Sequence, residues 1–234
     1  MYEERAAAVP GVTVWTRENG GGSYRVLPDG CMDLIWYDGG LLVAGPDTRA
    51  FVADDPPGGS YAGLRFAPGL GPLMLGVPAR ELRDRRVPLD ALRPAARAGR
   101  LADRLADRLG GRDAAAVLDA WAVARLGAAG PVDPLPGGVA RALAAGRPVG
   151  VIAAETGLGE RQLRRRCEAA FGYGPKTLGR VLRLQGALEL ARRGTAFAEV
   201  AALAGYADQA HLSREVMSLA GVPLGRLIRP TAPA

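Results

Sequence analysis

Four arginines lie within six residues of this chain, at positions 161 and 164–166. Guanidinium groups pair with phosphates, and each can donate two hydrogen bonds to the edge of a guanine base. A cluster of this kind is also typical of a helix face that only meets solvent. The elements around it must decide between these two interpretations.

Other reactive residue types are scarce. The chain contains one histidine, His211, and two cysteines far apart in sequence, Cys31 and Cys167. These numbers exclude a histidine-rich metal centre, a four-thiolate zinc site and a disulfide framework. The glycine-rich stretches NGGGS and APGLGPLMLG match neither phosphate-binding glycine motif. We therefore predict a protein that is not an enzyme and that needs no metal or cofactor.

Basic charge is concentrated in the C-terminal part of the chain. Residues 139–234 contain 14 Arg and Lys against 7 Asp and Glu, whereas residues 1–138 contain 16 against 17. A basic module joined to a near-neutral one indicates polyanion binding beside a second task. The sequence contains neither a long apolar run nor a signal-peptide pattern. We expect a cytoplasmic, nucleoid-associated protein that does not contact membranes.

The composition along the chain predicts an α+β fold in two domains. Short β-branched and aromatic runs within residues 12–66 predict a small antiparallel β domain. Leucines at 101, 105 and 109 predict an amphipathic helical hairpin, whose apolar stripe would serve as core or as a dimer face. Prolines and glycines predict a linker at 127–138. The domains would then be 1–126, β-rich with the helical hairpin, and 139–234, all-α.

The all-α part contains an internal repeat. The segment FAEVAALAGYADQAHLSREVMSLAG has the same form as PVGVIAAETGLGERQLRRRCEAAFG, about 48 residues earlier. Aligning Gly157 with Gly205 places Leu163 near Leu212. Each copy predicts two helices joined by a short glycine-containing turn, which is the helix-turn-helix pattern.

A longer helix is predicted between the two copies, from Pro175 to about Arg193. At 1.5 Å per residue it would span about 27 Å. That length is of the order of the ~34 Å between successive major-groove faces of B-DNA. One chain could therefore present two recognition helices to neighbouring grooves, which favours DNA contact over a solvated face for the arginine cluster.

The strings IAAETGLGERQLRRRCEAAFGYGP, RLQGALELA and EVAALAGYADQAHLSREVMSLAGVPLGRLIR resemble the DNA-binding domain of AraC/XylS-type transcription regulators, over about residues 139–230. The resemblance implies a bipartite reader of double-stranded DNA. Position in the two recognition helices then makes the following residues candidate DNA contacts: Arg161, Gln162, Arg164, Arg165, Gln209, His211, Ser213 and Arg214. His211 would pack the helix or contact phosphate.

Three core positions depart from the family pattern. Cys167 and Val216 stand where an aromatic residue is usual, and Leu212 replaces a common Phe. All three are apolar, so we expect altered packing and retained function.

About residues 10–110 resemble an uncharacterised domain often found ahead of this DNA-binding module. In the wider family the corresponding region is a cupin-like β domain that binds an effector or dimerises. Trp15, Trp36 and Tyr37 would line an effector pocket or equally fill a small β core, and Cys31 is a further pocket candidate. For the nearby Asp29 and Asp33 we expect turn and strand-edge roles.

The combined prediction is a DNA-binding transcription regulator modulated by its N-terminal domain. Its expected partners are duplex DNA, an unknown small-molecule effector, RNA polymerase and a second copy of the chain. The alternative is an architectural DNA-binding protein with weak sequence selectivity, and an enzyme tethered to nucleic acid by a basic tail is a more distant third.

Overall fold

The computed structural model describes residues 2–18, 20–55, 58–92, 95–106 and 111–228. The strands of these ranges are β1 Tyr2–Ala6, β2 Val12–Glu18, β3 Gly22–Val26, β4 Met32–Tyr37, β5 Gly40–Ala44, β6 Phe51–Asp55, β7 Ser60–Phe66 and β8 Arg86–Pro88. The helices are α1 Gly71–Leu75, α2 Leu89–Leu92, α3 Ala95–Ala106, α4 Gly111–Ala129, α5 Pro134–Ala144, α6 Val149–Glu155, α7 Glu160–Phe171, α8 Pro175–Arg192, α9 Phe197–Leu203, α10 Gln209–Ala220 and α11 Leu224–Leu227. This order confirms the predicted α+β class.

The strands form two antiparallel sheets. Six of them pair in the order β1-β2-β7-β4-β5-β8, and β3 pairs with β6 as a separate ribbon. Side chains alternate between the two faces of each strand. On one face of the large sheet, Val14, Leu34 and Leu64 are buried in a core shared with Leu105 of α3 and Leu118 of α4. The opposite face looks toward the β3-β6 ribbon.

The helical hairpin therefore belongs to the core of the β domain. The structure buries Leu101 and Leu105 in the same cluster as the sheet. Of the two uses that the sequence left open for this stripe, core packing is the one observed. Leu109, the third leucine of the predicted stripe, lies outside the described residues.

The C-terminal helices repeat one packing pattern. Leu163 and Leu212 are both buried, and the chain turns through positive φ at Gly157 and Gly205, the two residues aligned in the sequence. Helices α6 and α7 form the first unit, α9 and α10 form the second, and α8 connects them. Each unit has its own hydrophobic cluster, and α8 contributes to both. The predicted repeat is confirmed as structure.

The two recognition helices end in the same way. Gly172 after α7 and Gly221 after α10 have φ of 80° and 70°, in the left-handed region that glycine adopts without a Cβ clash. The three departures from the family pattern, Cys167, Leu212 and Val216, are all buried. All three therefore pack as core residues.

The linker is shorter than the predicted range 127–138. Residues up to Ala129 continue α4, and α5 already begins at Pro134. Proline lacks a backbone N–H that the first helical turn leaves unpaired anyway, so it is well accommodated at a helix start. Asp133 caps this helix, because its side chain accepts a hydrogen bond from the Leu135 amide. Only residues 130–133 separate the two helices.

Within the described ranges, every helix is too short or too polar to span a bilayer.

Candidate nucleic-acid interface and N-terminal cavity

The first recognition helix, α7, presents two arginines opposite its buried face. Leu163 and Cys167 point into the core at 0% and 2% exposure. Arg161 and Arg165 are four residues apart, so they share one face of the helix, roughly opposite Leu163. Both are exposed, and within the described chain neither has a hydrogen bond or ion pair. Their guanidinium groups are available to an external partner.

The other two arginines of the cluster are already paired. Arg164 Nε lies 2.8 Å from Glu168 Oε1, and Arg166 Nη2 lies 3.0 Å from Asp133 Oδ2. Because the four side chains radiate from one helix, they cannot all face the same partner. The predicted contact Arg164 could reach DNA only by leaving or sharing Glu168.

Gln162 has a local role in the structure. Its Oε1 accepts a hydrogen bond from the Gly159 amide at 3.1 Å, which satisfies a free donor at the start of α7. The side chain is exposed, so a base contact would compete with this cap.

The second recognition helix, α10, repeats the arrangement with one arginine. The alignment of Leu163 with Leu212 makes Arg214 the counterpart of Arg165, and both are exposed on the side away from the core. Gln209, the first residue of α10, is also exposed. The two copies of the motif thus display one equivalent guanidinium each.

Two predicted contacts of α10, Ser213 and His211, already contact neighbouring groups of the chain. Ser213 Oγ donates to the Gln209 carbonyl at 2.9 Å. His211 Nδ1 accepts from the Ala207 amide at 3.3 Å, and its ring meets the Tyr206 ring edge-on at 5.3 Å between centroids. The helix-packing role proposed for His211 matches these contacts.

A basic groove of about 320 Å³ lies beside the first unit. Its lining includes Arg147, Lys176, Arg180 and Arg183. Arg147 pairs with Glu155, and Arg180 pairs with Glu215 at 2.8 Å. Sequence analysis did not single these residues out, because they come from α8 and from the turn before α6 and not from a recognition helix.

The N-terminal domain holds a cavity of about 690 Å³ between the large sheet and the β3-β6 ribbon. Strand register arranges the large-sheet side chains that face it in three rows, two residues apart along the strands. We name them the aromatic row (Arg17, Tyr61 and Tyr37), the apolar row (Trp15, Ile35, Leu42 and Pro88) and the charged row (Arg65, Asp33, Ala44 and Arg86).

Three of the four predicted effector residues line this cavity: Trp15, Cys31 and Tyr37. Trp36 does not, because it is adjacent to Tyr37 in β4 and therefore points to the other face, where it packs against the core under the helices. Gly63 makes room for Trp15, since a Cβ there would lie 2.4 Å from the indole ring.

The aromatic row stacks its rings. The rings of Tyr37 and Tyr61 lie parallel at 4.2 Å between centroids. The guanidinium carbon of Arg17 sits 4.1 Å from the Tyr24 ring centroid and 4.7 Å from that of Tyr61. Aromatic rings from both sheets therefore form the wall of the cavity at this end.

The charged row forms a polar network at the other end. Asp33 Oδ1 accepts a hydrogen bond from Trp15 Nε1 at 2.8 Å and lies 3.3 Å from Arg65 Nε. Arg86 holds Asp47 with two hydrogen bonds of 2.7 and 2.6 Å. Burial raises the pKa of Asp33 from 3.8 to about 6, although Arg65 opposes the shift. Asp33 therefore does more than the turn and strand-edge role expected from the sequence, because it belongs to this polar network.

The walls of the cavity also touch the second helix-turn-helix unit. Arg25 of β3 donates from Nη1 to the Ala220 carbonyl at 2.8 Å, and the Ala50 amide donates to the Leu219 carbonyl at 2.7 Å. Leu27 both lines the cavity and packs against the hydrophobic cluster of this unit. The C-terminal end of α10 is therefore fastened to the ribbon side of the cavity.

The first unit and the connecting helix are attached as well. Gln185 of α8 donates from Nε2 to the Pro28 carbonyl at 2.6 Å. A Cβ at Gly172, after α7, would lie 2.6 Å from Pro46 Cγ, in the segment between β5 and β6. Both recognition helices thus end against the N-terminal domain.

Two repeated helix-turn-helix units on one connecting helix, beside a β domain that encloses a cavity, define a DNA-binding transcription regulator with two domains. Comparison with known proteins agrees. Residues 152–229 match a family described as a helix-turn-helix domain, and residues 12–88 match a domain of unknown function, DUF6597. The chain therefore contains an AraC-type helix-turn-helix domain over residues 152–229, with a DUF6597 domain ahead of it.

Solved structures of ToxT from Vibrio cholerae share the fold. An apo form carrying one substitution superposes with a TM-score of 0.51 at 11% identity, covering 95% of this chain and 98% of that chain. A form bound to an unsaturated fatty acid gives 0.51 at 11% identity, covering 100% and 99%. No curated protein matches the sequence. At these identities the likeness extends to the fold alone.

Proposed function

We propose that this regulator reads two successive major-groove segments of its DNA site, one with α7 and one with α10. The observation that carries the proposal is the equivalence of Arg165 and Arg214, which stand exposed at the same position of two copies of one motif. An arginine on a recognition helix can bind guanine O6 and N7 together. The net charge of +7 on residues 139–234 supplies phosphate attraction.

The N-terminal cavity is the proposed site of a small-molecule effector. Its volume of about 690 Å³ falls in the range typical of ligand pockets. ToxT has been crystallised with an unsaturated fatty acid, which supports a ligand-binding role for this fold. RNA polymerase, a second copy of the chain and a cytoplasmic location stay expectations.

The contacts between the cavity walls and the DNA-binding units supply a route for modulation. Arg25 and Leu27 both line the cavity. Arg25 also donates to the Ala220 carbonyl at the end of α10, and Leu27 packs against the hydrophobic cluster of the second unit. A ligand that moves the ribbon would therefore shift the second recognition helix relative to the first. Because two grooves must be met at once, a small change in spacing would alter DNA affinity.

The test is selection of binding sites from a random duplex pool with the full chain. We expect one asymmetric consensus, and affinity for it that falls steeply with salt, each phosphate contact adding about 0.9 to the slope. A scrambled duplex of the same composition is the control. Equal affinity for consensus and scrambled DNA would favour the architectural alternative, and no binding at low salt would contradict DNA reading itself.

A further inference from the structure

We propose that the N-terminal cavity binds a flat, apolar molecule with a cationic amine head, the ring against the aromatic row and the amine at the charged row. The inference rests on the proposed effector role of the cavity. It follows from the order of the rows and from the balance of charge at one end.

The rows set the shape of the ligand. Successive rows are two residues apart, about 7 Å, so the aromatic and charged rows are separated by roughly 13 Å. The stacked rings of Tyr37 and Tyr61 form an aromatic wall at one end, and Ile35 and Leu42 provide apolar contacts between the ends. A two-ring aromatic body with a short arm spans this distance.

Charge balance sets the sign of the head group. Four arginines and four aspartates line the cavity. Arg17 lies in the aromatic row, and the Arg25 guanidinium group donates to the Ala220 carbonyl. The polar network joins the two remaining guanidinium groups, of Arg65 and Arg86, to three carboxyl groups, of Asp29, Asp33 and Asp47. Arg86 and Asp47 satisfy each other in a two-bond pair. Arg65 is the guanidinium group beside the other two carboxyl groups: its Nε lies 3.3 Å from Asp33 Oδ1 and 3.7 Å from Asp29 Oδ2. One carboxylate is thus in excess, and an entering cation would balance it.

A carboxylate head would meet the opposite situation. It would join three acidic groups around two cations that are already used, and like charges at close range disfavour binding. The far end offers Arg17, but its guanidinium group already lies against the rings of Tyr24 and Tyr61. An acid there would have to disturb this stack, which forms the aromatic wall that the ligand body needs.

Three matched probes test the proposal on the full chain: 2-naphthylethylamine, 2-naphthylacetamide and 2-naphthylacetic acid, titrated by calorimetry without DNA. We expect the amine to bind at least about tenfold more tightly than the acid, with the amide between them. A tenfold ratio is small for a close pair of opposite charges. Tightest binding by the acid would overturn the proposal, as would no binding by any probe at millimolar concentration.

A variant tests the contact of the head group separately from the contact of the ring body. Asp33→Asn keeps an acceptor for Trp15 Nε1 and removes the charge, so the preference for amine over acid should fall about tenfold. Asp90→Asn, at an exposed aspartate of α2 outside the cavity, is the matched control and should keep the wild-type preference. An Asp33→Asn chain that kept the full preference would contradict the assignment of the head group. The titration of the three probes on the wild type uses neither a variant nor DNA. A negative result there is therefore distinct from a failure of the proposed DNA reading.

Discussion

Arg25 Nη1 donates a hydrogen bond of 2.8 Å to the carbonyl of Ala220, the last residue of the second recognition helix. Arg25 also lines the N-terminal cavity. One side chain therefore links the wall of a ligand-sized space to an element that would enter DNA. The positions of the two domains are coupled through this contact and through its neighbour, the bond from the Ala50 amide to the Leu219 carbonyl.

Removing the Arg25 side chain should loosen the end of α10. Arg25→Ala leaves the Ala220 carbonyl without this donor, a loss of about 1 kcal/mol for a typical hydrogen bond. We expect amide hydrogen exchange in residues 217–222 to become several times faster. Arg49→Ala, at an exposed arginine without a hydrogen bond or ion pair among the described residues, is the control. Unchanged exchange in both variants would mean that the contact does not hold the helix.

Asp33 should make stability depend on pH. Its pKa is raised from 3.8 to about 6 by burial, so the folded chain binds this proton more tightly than the unfolded chain. The resulting stability is fully present below pH 3.8 and is lost as pH rises through 6. Relative to Asp33→Asn, the wild type should lose about 1 to 3 kcal/mol of unfolding free energy across that window. Denaturant unfolding at several pH values measures it, and parallel profiles would contradict it.

Limited proteolysis should cut first at residues 130–133, the short exposed connection between α4 and α5. The two products should stay together in gel filtration, because contacts such as Gln185 with Pro28 join the domains independently of the connection. A broad-specificity protease with time-resolved mass spectrometry shows the order of cuts. A first cut within 149–192 would argue against the division into two domains.

The helical half was largely predictable from the sequence, because its signals are local. Gly157, Gly172, Gly205 and Gly221 end helices at turns with positive φ, and buried leucines recur at helical spacing. The predicted linker extended too far because α5 starts with proline. Proline and glycine predict turns, but they also begin helices.

The cavity was not predictable in the same way, because it depends on pairing between distant strands. The ribbon joins β3 to β6, about thirty residues apart, and no local pattern marks it as one wall of a cavity. Strand alternation could have placed Trp36 and Tyr37 on opposite faces from the start. The pairing of Arg166 with Asp133, which divides the arginine cluster, also joins positions far apart in sequence.

The most direct test of the central claim is binding-site selection from random duplex DNA with Arg165→Ala and Arg214→Ala compared with the wild type. The claim predicts that each variant loses base preference in a different half of the site, at about 1–3 kcal/mol for a bidentate contact. Arg104→Ala, at an exposed arginine of α3, should reproduce the wild-type consensus. If both recognition-helix variants kept the wild-type consensus, or weakened binding to all sequences alike, reading of two successive grooves by α7 and α10 would be contradicted.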